Sequence, residues 1–101
     1  MKPTYIWAIL LIVGLFQWNP VEAQQDELAE EIVLLTQGMD ALKYGEYQKA
    51  IEYFNDAEKV NRFVPYLYAL RAQAYLETNA FASAEADLSK ALRYYYQTKK
   101  D

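Results

Sequence analysis

Cysteine and histidine are both absent from this 101-residue chain. Without cysteine there is no disulfide, no thiol for lipid attachment and no thiolate nucleophile, so stability must come from packing alone. Without histidine the commonest general base is missing, and with both absent so are the main transition-metal ligands. Glycine is scarce as well: Gly14, Gly38 and Gly45 lie too far apart to form a phosphate-cradling loop. Ser83 and Ser89 fall inside a helical stretch with no base placed to activate them. Glu27, Glu30 and Glu31 crowd one helix start, and Glu85 and Asp87 point to different sides of another helix. They read as solvated helix charge, because an acid/base pair or a calcium cage needs ligands that converge. No catalytic residue, metal ligand or cofactor is predicted. Positive charge is also in short supply, with 10 Lys and Arg against 14 Asp and Glu and a net charge of -4. That balance argues against a nucleic-acid partner, whose affinity comes mainly from basic side chains releasing counterions.

The first residues have the layout of a secretory leader. Lys2 precedes an apolar run from Ile6 to Phe16, and a polar stretch broken by proline follows, Gln17 to Pro20. Val21 and Ala23 stand three residues and one residue before an expected cut, so residues 1–23 are predicted as signal peptide and residues 24–101 as the mature domain. An uncleaved membrane anchor is the competing reading. Even Tyr5 to Trp18 falls short of the roughly 20 apolar residues of a spanning helix. The predicted location is therefore exported, periplasmic or secreted, with no stable membrane span after cleavage. Lys2 and Glu22 leave together, so the net charge is unchanged by processing.

The mature chain reads as four helices. From Asp26 to Lys43 two apolar stripes run side by side: Leu28, Ile32, Leu35, Met39 and Leu42 on one, Leu34, Gly38 and Ala41 on the other. Asp26 has the chemistry of an N-cap, and Gly45 that of a left-handed C-terminal cap. A second helix is predicted over about Tyr47 to Val60 and a third from Pro65, suited to a first helical turn, to about Thr78. Asn79 closes the third, as the non-glycine residue best able to take a left-handed backbone. The fourth is predicted from about Phe81 to Tyr96, fraying into Thr98, Lys99, Lys100 and Asp101. The fold class is all-α, as two stacked antiparallel helix pairs.

A shift of thirty-four residues superimposes the two pairs. Gly38, Ala50 and Ala57 fall on Ala72, Ala84 and Ala91; Tyr47 and Phe54 fall on Phe81 and Leu88; Gly45 falls on Asn79. Small residues allow two backbones to approach, and large ones fill the space beside them. The segment Lys43-Tyr44-Gly45-Glu46-Tyr47-Gln48-Lys49-Ala50-Ile51-Glu52-Tyr53-Phe54 resembles the tetratricopeptide repeat, and a looser copy holds Tyr68, Ala72, Tyr75, Ala84, Leu88 and Ala91. The resemblance covers two repeats, about 31–64 and 65–98. Departures from the family pattern are Leu34 for tryptophan, Gln37 and Arg71 for leucine, Ala41 for an aromatic, and Arg62 and Tyr96 for the closing proline.

Where the two copies differ, the differences suggest ends. Ala74 has Asp40 as its counterpart, and Ile51 and Tyr53 become Glu85 and Asp87, so both outer faces are predicted to turn polar. The resemblance implies a concave groove lined by the first helix of each pair, here Ile32, Leu35, Met39, Leu42, Tyr66, Ala69, Gln73 and Leu76. Leu35 and Met39 stand where chaperone-tail binders of the family carry lysine and asparagine, so a carboxylate clamp is not expected. An apolar groove with methionine in it suits an amphipathic helix or apolar segment. Leu92, Tyr94, Tyr95 and Tyr96 look under-covered for a terminal helix and form a second candidate interface, for a homodimer or another partner. The expected function is that of an exported, non-enzymatic protein-protein adaptor. The alternative is a structural subunit buried in an envelope assembly through its tyrosine-rich fourth helix.

Overall fold

Left-handed backbone at Gly45 and Asn79, and an extended connection before Pro65, divide the chain into its helices. The computed structural model describes residues 20–100. Helix α1 spans Pro20–Lys43, α2 Tyr47–Val60, α3 Pro65–Glu77 and α4 Phe81–Lys100. Among the described residues there is no strand, and no helix is long and apolar enough to cross a membrane. Most of the predicted leader lies outside the described residues; Pro20–Ala23 form the first turn of α1.

Gly45 has φ +75° and Asn79 has φ +62°. At both turns the backbone closes with the same bonds. The amide of Glu46 donates to Ala41 O at 2.8 Å and that of Gly45 to Leu42 O at 3.1 Å; Ala80 donates to Tyr75 O at 2.8 Å and Asn79 to Leu76 O at 3.1 Å. This pairing satisfies carbonyls that the end of a helix leaves open, and it needs one left-handed residue after the last turn. The thirty-four-residue period is thus a property of the backbone as well as of composition.

Each helix packs on the next in order, and α1 and α3 touch only slightly. The core lies where α1, α2 and α3 meet, with Phe54, Leu67 and Tyr68 as its largest fully buried side chains. Burying each contributes on the order of 1.5–3 kcal/mol relative to leaving it exposed. Of the two stripes on α1, the one holding Gly38 and Ala41 is buried against this core, with Leu34 half-buried. Gly38 admits the ring of Phe54: a Cβ at that position would stand 2.7 and 2.8 Å from its Cζ and Cδ1.

Several expectations are corrected. Asp26 is not an N-cap, because α1 begins at Pro20. Proline fits a first turn, and residues 21–25 hold no glycine or proline to stop the helix. Helix α4 continues to Lys100 instead of fraying after Tyr96. The Thr98 hydroxyl donates to Tyr94 O at 2.9 Å and Tyr95 O at 2.8 Å, and Lys99 suits the negative end of the helix dipole. Phe81 and Leu88 are not interior fillers: Leu88 is 44% exposed where its counterpart Phe54 is fully buried. The difference is α3, which covers the first pair, whereas among the described residues nothing covers the second. Asp87 is not on a polar outer face either, being 3% exposed.

Candidate functional site

Two surfaces and one interior cluster hold the residues of interest. Arg71, from the middle of α3, is 5% exposed. Its Nε and Nη2 donate to Oδ2 and Oδ1 of Asp87 on α4, at 2.7 and 2.8 Å, in a two-pronged fork. Its Nη1 donates to Glu58 Oε1 at 2.8 Å and Asn55 Oδ1 at 2.9 Å, both on α2. Tyr68, one turn earlier, donates its hydroxyl to Glu58 Oε2 and the carbonyl of Arg62. One guanidinium therefore ties three helices together. Burial opposes ionisation of Glu58, yet hydrogen bonds and charge from Arg71, with the Tyr68 hydroxyl, hold its carboxyl below the ordinary range. Burial, and then the negative charge of Glu58, push the Tyr68 hydroxyl far above the usual phenol range. Desolvation works against the charge on Arg71, but its bonds to Asp87 and Glu58 outweigh it and raise the guanidinium further. Among the described residues no buried side-chain nitrogen or oxygen lacks a partner. The cluster is a satisfied structural joint, with its charges spent on one another.

The predicted groove is split in two. Met39 and Leu42, with Lys43, face Leu70 and Gln73 of α3 across a depression of about 230 Å³. Met39 is 40% exposed and Ile32 and Leu76 are also exposed, while Leu35 and Leu42 lean half-buried on the core. Tyr66 and Ala69 line a different and larger cleft, about 680 Å³, between α3 and α4. Its other walls are Pro65, Leu88, Ala91, Leu92 and Tyr95, all without charge. Leu70 and Pro65 were missing from the predicted sites, as were Leu88 and Ala91. The last two were legible in principle, since their counterparts Phe54 and Ala57 are buried beneath α3.

The fourth-helix prediction also divides. Leu92, Tyr95 and Tyr96 are exposed. Tyr94 is half-buried: its ring packs 5.5 Å from Tyr68 and, edge-on, 5.5 Å from Phe63. It braces the interior while its neighbours face out, as consecutive helix positions about 100° apart must. The outer face of the first pair is mixed and not simply polar: Gln37, Asp40, Glu46 and Lys49 share a depression of about 230 Å³ with Ala41, Tyr44 and Tyr53. On the second pair Glu85 is exposed, but the cleft beside it is apolar.

Comparison of the chain with family models, with curated proteins and with solved structures finds no match.

Proposed function

We propose that the chain is an exported, non-enzymatic interaction module of the tetratricopeptide type, which docks an amphipathic helix or apolar segment of another exported protein. The observation that carries this reading is the half-exposed Met39 beside Leu42, facing Leu70 and Gln73 across a shallow depression. Methionine on such a surface gives adaptable apolar contact, and a groove between helices is a common seat for a helical ligand. Ile32 and Leu76 extend the same apolar character along α1 and α3. The repeated turn bonds at Gly45 and Asn79 support the repeat reading, and the resemblance at residues 43–54 supports its family.

The test is capture of the partner from the native exported fraction by the wild-type protein and by Met39→Asp. Loss of capture with the helical circular dichroism intact supports the proposal. Loss of helicity would make Met39 a core residue and remove the argument.

A second reading has its own observation. Exposed Leu92, Tyr95 and Tyr96 favour a structural subunit buried through α4 in a larger assembly. In that case the purified protein aggregates without its neighbours, whereas an adaptor stays folded and soluble.

A further inference from the structure

The cleft between α3 and α4 has a covered counterpart within the same chain. Moved back by one period, Leu88, Ala91 and Leu92 become Phe54, Ala57 and Glu58 on α2, and Tyr95 becomes Asn61 just past its end. That earlier surface is the seat of α3, and Phe54 and Ala57 are fully buried in it. The cleft is therefore a second helix seat, and its chemistry has changed. Glu58, which receives Arg71 and Tyr68, is replaced by Leu92, and Asn61 by Tyr95. A helix lying here has to present apolar side chains where α3 presents an arginine and a tyrosine hydroxyl.

Two helices of a second copy are on offer. Helix α1 brings Gln37 and Asp40 to the places where α3 has Arg71 and Ala74. Setting a carboxylate against an uncharged wall is costly, and stacking of that kind leaves an open end that adds further copies. Helix α4 brings Leu88, Leu92 and Tyr95, spaced four and three apart on one stripe. A two-fold axis beside Leu92 sets the two α4 helices antiparallel, the sense in which α3 lies on α2. The same stripe carries Glu85 seven residues before Leu92 and Lys99 seven residues after it, both exposed. Antiparallel pairing about Leu92 brings each Glu85 towards the other copy's Lys99. The apolar stripe is thus flanked by opposite charges placed to meet.

We propose that the α3–α4 cleft is the two-fold interface of a homodimer, with Leu92 and Tyr95 of each copy seated in the cleft of the other. Tyr66 and Ala69 are then buried between copies, and the partner surface contracts to α1 with Gln73 and Leu76. The proposal stands independently of the partner groove, because Met39 lies outside the cleft.

Sedimentation velocity of the protein, purified as the cell processes it, is the test. A dimer is expected at micromolar concentration, with Leu92→Glu raising its dissociation constant more than about a hundred-fold at unchanged helicity. Glu85→Lys and Lys99→Glu each weaken it about three-fold or more, and the double exchange restores it. If Leu92→Glu fails to fold, the charge exchange decides alone. A monomer at 100 µM or about that level would overturn the proposal, as would a dimer indifferent to both sets of substitutions.

Discussion

Arg71 grips Asp87 with two parallel hydrogen bonds, 2.7 and 2.8 Å long, across the α3–α4 pair. Neither group is open to water. Removing one partner of such a buried pair leaves an uncompensated charge, at a cost of about 3–5 kcal/mol. Arg71→Ala should accordingly lose a large part of the stability of so small a domain, measured by urea unfolding. Replacing both partners, Arg71→Leu with Asp87→Leu, should recover much of that loss, although Glu58 and Asn55 then need water. A double variant no better than Arg71→Ala would show that the fork is not the source of the effect.

Gly38 and Phe54 form a second coupled pair. Alanine favours a helix interior by about 1 kcal/mol over glycine, but overlap with a buried ring costs about 1–3 kcal/mol. Gly38→Ala should therefore destabilise the wild type. On a Phe54→Leu background, the side-chain combination found at Ala72 and Leu88, the same change should become neutral or stabilising. Thermal melts of the four proteins test the reversal of sign; additive effects would contradict it.

The pH dependence has two limbs. Folded Glu58 gives up its proton at lower pH than unfolded Glu58, so its contribution is complete above the ordinary value of 4.5 and is lost as pH falls through the lowered one. Tyr68 behaves in the opposite sense. Its folded hydroxyl holds its proton after the unfolded one has released it, so its contribution is complete below about pH 10 and declines above. Urea midpoints should form a plateau near neutral pH. Glu58→Gln should flatten the acid limb and Tyr68→Phe the alkaline one; limbs unchanged in both variants would refute this assignment.

The two turns should respond unequally. Gly45→Ala forces a Cβ into left-handed backbone and should cost about 1 kcal/mol, with Gly45→Asn costing less. Asn79→Gly should be neutral or mildly stabilising, and Asn79→Ala destabilising. Alanine tolerated without loss at either site would mean that φ is not what that position selects.

These relationships differ in how far the amino-acid order discloses them. Gly45 and Asn79 were legible because a left-handed turn constrains residue type locally, and the buried stripe of Gly38 and Ala41 because helical spacing is local too. Arg71 was not. Read along the chain it is a polar departure from an apolar pattern, and its role depends on Asp87, sixteen residues away on another helix. Asp87 looked like an outer-face charge for the same reason. Tyr94 was grouped with Tyr95 and Tyr96 by adjacency, although its ring turns inward to Phe63 and Tyr68. Of the residues expected to share one groove, Met39 and Leu42 line the depression against α3, while Tyr66 and Ala69 line the cleft against α4.

Photo-crosslinking in the intact cell reads out docking of a partner helix on the α1 surface around Met39. A benzophenone side chain at position 39 is compared with one at the exposed Glu52 on α2. One discrete adduct to another exported protein is expected from position 39 and none from position 52. No adduct at position 39, or the same adducts from both positions, would contradict it.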